Sequence, residues 1–424
     1  MSAQSGKDSA NKKDGADEKE ITLIVAPAAE TQTSTRQYGD YVSQTSGTAT
    51  DRTGSDEAGS TDASESTDTS ESANASSSDN ESDSTDTESM PRMANALQLA
   101  KDSGMHVVLV ANPVKDFTPD AFVELSTAER IGQIQASKLA DKLQLDTISK
   151  DNPKAVEILL PYTASADGSD DEFAKEAFAG AWSVLQPYFK KGTAYSPSGL
   201  LTADTTDGQW ESVAFEIDKD SRITDEITNR LKRKDSASHT RIDGIIAMND
   251  YVASGVVDAL DHLGYTGSAA DINPSITLPG IVGNITGKQD LHRKKVPDPI
   301  KAPENDGDAT NDGSASEKAR DTQWPIITGY GAYVDELPQL VSGHQWMTAV
   351  EDRKGAATQL AQMCLKINQG TAVKSPQNLT KGTYPGVAGK NMPTLRPDLV
   401  AVSASNLKST LIDPGYITLA DAGM

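Results

Sequence analysis

Ile242-Asp-Gly-Ile-Ile-Ala-Met-Asn-Asp-Tyr-Val-Ala-Ser-Gly-Val-Val-Asp-Ala-Leu-Asp-His-Leu-Gly-Tyr265 reads as a buried strand that hands over to a helix. Ile242 to Met248 is a short apolar run rich in branched residues, the pattern of a strand covered on both faces. Asn249 and Asp250 interrupt it. Val252, Val256, Val257, Leu260 and Leu263 then recur at helical spacing, and Gly264 closes the helix. Such a corner sets a carboxylate at the carboxyl end of a parallel sheet, the edge where open α/β sheets bind ligands. Asn and Asp are also favoured helix caps, so two readings stand side by side: Asn249 and Asp250 satisfy backbone donors, or they contact a ligand.

The chain has 424 residues, room for two domains. Only 36% are apolar, and the formal net charge is −23, which argues against a nucleic acid held through its phosphates. A single cysteine, Cys364, excludes a disulfide framework and a thiolate metal cluster. It lies in the apolar helical run Leu360–Leu365, where a buried inert thiol is expected. No apolar run approaches the roughly 18 residues of a membrane span. Met1–Glu20 is polar, which reads as a disordered arm without a secretory leader.

Ile21–Pro27 reads as the first strand, and Tyr38–Val42 as the start of a short helix. From Thr45 to Ser89 the composition collapses to Ser, Thr, Asp, Glu, Asn, Gly and Ala, with one base, Arg52, against about a dozen acids. A tract with nothing to bury is expected to be a solvating spacer. Beyond it, further strands are expected at Met105–Ala111, Ala155–Pro161, Val213–Ile217, Ile276–Val282, from Trp324 to the Gly329 corner, at Met347–Val350 and at Leu399–Val402. Helices are expected around Ala96–Gly104 and over Ala128–Leu143, Phe173–Phe189, Ile223–Leu231 and Gly355–Gly370. Trp182 falls on the inner face of its helix and is expected in the core. A second low-complexity stretch runs from Asn284 to Gln323.

Strands alternating with helices imply parallel sheets covered on both faces. The segments form two groups, before and after about Leu200. The expected division is an arm over 1–20 and a first lobe from 21–44 and 93–200, interrupted by an acidic insertion over 45–92. The chain crosses to the second lobe near 150, and 201–424 holds that lobe, the hinge returns and an insertion over 285–323. Two hinged α/β lobes create a cleft between their carboxyl edges.

From about Leu97 onward the sequence resembles the sugar-binding proteins of the type I periplasmic-binding fold, in their xylose and multiple-sugar branch. The matching stretches are Ala96–Val110, Ala179–Pro187, the quoted segment, Ile326–Gly329 followed by Val341–Asp352, and Gly389–Thr394 leading to Pro414–Tyr416. The resemblance implies two doubly wound lobes and the role of extracellular receptor for a carbohydrate ABC importer. It further implies a sugar-like ligand, membrane subunits of a transporter as partners, a monomer, no cofactor, and a cell-surface or lipid-anchored location. Neither a helix-turn-helix nor a catalytic motif accompanies it, so a transcription regulator and an enzyme are set aside.

Sugars are held by planar polar groups that bond paired hydroxyls and by aromatic rings over the apolar sugar face. By resemblance Asp250, with Asn249, matches the family's aspartate corner, and Arg36 matches an arginine of the first corner. The departures are Asn112-Pro113 where relatives carry Asp-Arg, Tyr330-Gly331 in place of Gln-Asp, Glu351 in place of lysine, and Phe173 in place of a cleft asparagine. Tyr38, Phe173, Tyr251, Tyr330 and Tyr333 are candidates for stacking, or core residues at strand ends. The acidic tract also occupies the place of about 50 residues of strand-helix-strand in relatives, so the first sheet is expected to be short of strands, with an open edge. A relative that keeps the fold but serves as a surface interaction or sensory module is the alternative function.

Overall fold

The computed structural model describes residues 21–27, 86–162, 169–217, 219, 221–232, 240–269, 321–370, 379–383 and 391–424. Arg36, Tyr38 and the run Ile276–Val282 lie outside the described residues.

In chain order the strands are β1 (Thr22–Val25), β2 (His106–Val110), β3 (Ala121–Val123), β4 (Lys154–Ile158), β5 (Leu160–Tyr162), β6 (Ala194–Tyr195), β7 (Ala214–Glu216), β8 (Gly244–Ile246), β9 (Ile326–Tyr330), β10 (Met347–Glu351), β11 (Leu379–Thr383), β12 (Asn391–Leu395) and β13 (Leu399–Ser403). The helices are α1 (Asp86–Asp102), α2 (Ala128–Leu143), α3 (Ser169–Lys191), α4 (Ser221–Leu231), α5 (Asp250–Leu263), α6 (Leu337–Ser342) and α7 (Arg353–Asn368). A five-stranded sheet has the order β1-β2-β3-β12-β11, and a six-stranded sheet the order β13-β10-β9-β8-β4-β6; β5 and β7 form a small parallel pair. Both larger sheets are parallel except at one edge, where β11 runs against β12 and β13 against β10.

Each large sheet is covered on both faces, as parallel sheets require. On the smaller sheet, Leu97 of α1 packs with Val107, Leu109 and Phe122 on one side. Met363 and Cys364 of α7 pack with Val108, Val123 and Leu395 on the other. On the larger sheet α2 lies over β8, β9 and β10 and packs against α3, while α5 covers β9 from the other side and α4 packs on α5. Trp182 sits in this main core, 1% exposed, with its indole N–H donating to Thr205 O at 2.9 Å. Burial pushes the Cys364 thiol above its ordinary range, in keeping with an inert side chain.

Strand β4, at Lys154–Ile158, belongs to the larger sheet, in keeping with a chain that crosses near 150, and β11 and β12, near the C-terminus, return to the smaller one. The return adds strands at the edge away from β1: β12 pairs with β3 through Thr394↔Phe122 and Leu395↔Val123, and β11 extends the sheet beyond it. The β1 edge pairs only with β2 among the described strands, and Ile24 on it is 48% exposed.

Three segments pass between the sheets. Glu124–Thr127 links β3 to α2, Asp352 links β10 to α7, and Arg396–Asp398 links β12 to β13. All three leave from carboxyl ends of strands, so they gather at one side of the molecule.

Candidate functional site

The two sheets end in the same local device. After β2 the chain reads Val110-Ala111-Asn112, and after β8 it reads Ala247-Met248-Asn249. Asn112 N–H donates to Val110 O at 2.9 Å, and Asn249 N–H donates to Ala247 O at 2.8 Å, each closing a three-residue turn. The middle residues, Ala111 and Met248, have φ of 66° and 62°. Of the three other non-glycine residues with left-handed φ among the described residues, Ala332 (φ 51°) also follows a strand, β9, and precedes Tyr333, while Gln144 closes α2 and Asp116 lies in the loop before β3. Non-glycine residues in this region cost about 1–3 kcal/mol each, and such strain collects where a side chain must be aimed.

Asn249 is wholly buried and caps α5, its Oδ1 accepting from Val252 N–H at 2.8 Å. The capping reading is therefore the correct one for this atom. The turn before it is braced by Gln135 of α2, also fully buried, which donates to Met248 O at 2.8 Å and accepts from the Thr328 hydroxyl at 3.1 Å.

Asp250 is 1% exposed, and its carboxylate is enclosed by donors of its own lobe. Gln345 Nε2 donates to Oδ1 at 2.6 Å and the Thr348 hydroxyl to Oδ2 at 2.7 Å. The Tyr333 backbone N–H faces the carboxylate as well, and the Ala332 N–H donates to the Thr348 hydroxyl at 3.2 Å, which backs that contact. Burial pushes the Asp250 carboxyl above the ordinary range, and the polar groups around it oppose the shift. The expectation that Asp250 looks into the gap between lobes is corrected: its oxygens bind the β8, β9 and β10 ends to one another. Gly329 permits the approach, since a Cβ there would lie 2.3 Å from Asp250 Oδ1.

The other candidates divide into two sets. Tyr330, Tyr333 and Glu351 gather beside the Asp250 corner, with Tyr333 half-buried and its ring so close to Gly331 that a Cβ on that glycine would meet it at 2.8 Å. Tyr330 is 5% exposed, and its hydroxyl is pushed up by burial and by the neighbouring Glu351. Tyr251 is half-buried against the main core. Phe173, 8% exposed in α3, is a member of that core, which accounts for an aromatic at its position. On the other sheet Asn112 donates from Nδ2 to Pro27 O at 3.0 Å, which ties the β1 and β2 ends, while its buried Oδ1 has no donor among the described residues. Among the described residues, no group of three or more His, Cys, Asp or Glu is placed to hold a metal ion.

Glu351 joins the site to the hinge. One carboxylate oxygen accepts from Ser126 N–H in the first crossing, and the other is buried without a hydrogen-bond partner among the described residues. Burial raises the Glu351 carboxyl above its ordinary value, with Ser126, Arg130 and Arg353 opposing. A raised carboxyl means that the folded protein holds the proton more readily than the unfolded chain. The stability from Glu351 is therefore fully present below the unfolded value, near 4.5, and is lost as pH rises through the folded value. Glu351→Gln keeps an acceptor for Ser126 N–H and removes the buried charge. Urea denaturation should show this variant at least as stable as the parent at pH 7, with the difference shrinking towards pH 4.

No family model matches the chain. Over 330 residues, covering 77% of this chain and 71% of the relative, it is 23% identical to a multiple sugar-binding periplasmic protein of Azospirillum brasilense. Over 325 residues, 76% of this chain and 71% of the relative, it is 21% identical to a multiple sugar-binding periplasmic receptor of Rhizobium radiobacter. Its relatives are periplasmic sugar-binding proteins. A D-xylose-binding periplasmic protein of Escherichia coli aligns over 199 residues, 47% of this chain and 51% of its own, at 25% identity. Among solved structures, an ABC transporter solute-binding protein from Clostridium phytofermentans with bound β-D-glucose covers 78% of each chain, at 20% identity and a TM-score of 0.47.

The three sequence relatives bear out the resemblance to the xylose and multiple-sugar branch. Gln135, Gln345, Thr348 and Ser126 were not singled out from sequence. The signal for Gln345 was a polar residue set between His344 and Trp346 just ahead of an apolar strand. For Gln135 it was a buried-face position of an otherwise apolar helical stripe.

Proposed function

We propose that the chain is the substrate-binding component of a carbohydrate ABC transporter and takes a sugar-like solute between its lobes. The observation that carries this reading is the pair of strained turns ending in Asn112 on one sheet and Asn249 on the other, with a third strained residue aiming Tyr333. Strain repeated at the ligand-binding edge of both sheets has no packing purpose in common. Asn112, Tyr251, Tyr330, Tyr333 and Glu351 would then supply the contacts, with Arg36 from the first corner; Asn249 and Asp250 would position them. With fewer charged groups at these corners, aromatic stacking and amide or carboxylate acceptors carry more of the binding. The proposed working location is outside the membrane, anchored to the cell surface, with transporter membrane subunits as partners and no catalytic step.

A second reading is a fold-retaining relative that no longer takes sugar and acts as a surface interaction or sensory module. The full engagement of Asp250 by internal donors favours it. Thermal-shift measurements against pentoses, hexoses and short oligosaccharides separate the two. The first reading expects one class of sugar to raise the melting temperature by several degrees at millimolar concentration. A folded protein unmoved by every sugar, and recovered with a membrane protein in pull-downs, supports the second.

A further inference from the structure

The three crossings between the lobes are fastened to one another by side chains. The Glu351 carboxylate, at the end of β10, takes the Ser126 N–H of the first crossing. Arg396, in the third crossing, forms an ion pair with Glu124 in the first. Arg130, in the first turn of α2, donates from Nη2 to Pro397 O in the third crossing at 2.7 Å. A backbone hydrogen bond, Glu124 N–H to Leu395 O at 2.9 Å, supplements these along the same line.

We propose that this is a hinge clasp, in which Glu124, Arg130, Glu351 and Arg396 are positioning residues that fix the resting angle between the lobes. A hinge turns through φ and ψ changes at a few linking residues, and bonds that join neighbouring links oppose those changes. The clasp is not sealed. A cavity of about 530 Å³ borders it, lined by Glu124, Thr127, Glu129, Arg130, Glu176 and Arg396. The Arg396 and Glu124 side chains are 33% and 13% exposed, so dissolved ions reach the pair and screen it. The remaining charges around Glu351 are Arg130 on α2 and Arg353 on α7, with the Tyr330 hydroxyl on β9. Both arginines favour the ionised carboxylate that holds Ser126. Salt should therefore loosen the hinge without touching the strand-end corners.

The clasp rests on the two-lobe arrangement and on no assumption about the ligand, so it is tested without sugar. Spin labels at Ser103→Cys, beyond α1, and Asp261→Cys, on α5, in a Cys364→Ala background report the distance between lobes. A narrow distribution is expected for the parent at low salt, broadening as salt is raised. Arg396→Ala should broaden it at low salt, and the charge swap Glu124→Arg with Arg396→Glu should restore it. Glu351→Gln, the variant least prone to misfold, keeps the Ser126 acceptor but loses the attraction of Arg130 and Arg353, and should broaden the distribution at low salt by less than Arg396→Ala does. Identical distributions for the parent and a folded Arg396→Ala protein, at every salt concentration, would overturn the clasp. Loss of sugar response with these distances intact would count against the proposed function alone.

Discussion

Asp250→Ala should lower the free energy of unfolding by about 3–5 kcal/mol, the loss seen when one member of a buried charged network is removed. Gln345 Nε2 and the Thr348 hydroxyl donate to that carboxylate, the Tyr333 backbone N–H faces it, and Ala332 N–H holds the Thr348 hydroxyl in place. Alanine would leave them facing one another in a site that is 1% exposed. Asp250→Asn should cost less, about 1–3 kcal/mol, because it sheds the desolvation of a buried charge yet turns one acceptor into a donor among donors. Urea denaturation of both variants measures the difference. Parent-like stability for Asp250→Ala would mean that the carboxylate is free for a ligand after all.

The second large effect belongs to the helix pair that carries the lobe-two corner. Gly132 in α2 and Gly180 in α3 let two backbones touch: a Cβ at Gly132 would sit 2.0 Å from Ala177 O, and one at Gly180 would sit 1.9 Å from Glu129 O. Neither obstacle is a side chain that could turn aside, so the helices must move apart. Overpacking of this kind costs about 1–3 kcal/mol, and rigid backbone on both sides places Gly180→Ala at the upper end or beyond. Because Gln135 of α2 holds the turn at Met248, a displaced α2 should also weaken any sugar response. Calorimetric melting of Gly180→Ala checks the first effect. A melting temperature equal to the parent's would show that α2 and α3 do not pack this closely.

The corner from Ile242 to Tyr265 was legible because everything that makes it is local: the branched run, the Asn cap and the Gly264 stop. What Asp250 does was not legible. Its donors come from Gln345 and Thr348, 95 and 98 residues further along, and no periodicity announces such pairing. The smaller sheet shows the same limit. Strand β12 contains Pro393, which argues against a strand inside a sheet, but β12 meets β3 only at Thr394 and Leu395, so the missing N–H falls outside that pairing. Strand β3 has three residues, all buried, too few to show alternation. The substituted positions Tyr330 and Glu351 were found by resemblance. Their burial, and the role of Glu351 in the hinge, came only from the crossing segments that fold against them.

Isothermal titration of the folded chain against mono- and oligosaccharides tests the central claim most directly, with Tyr333→Ala, altered at a half-buried ring beside a strained corner, as its control. Heat is expected for one class of sugar at a stoichiometry of about one, with affinity reduced roughly tenfold or more in the variant, as loss of a stacked ring entails. A parent protein that is folded, with its lobes at their resting distance, and that gives no heat with any sugar would contradict it.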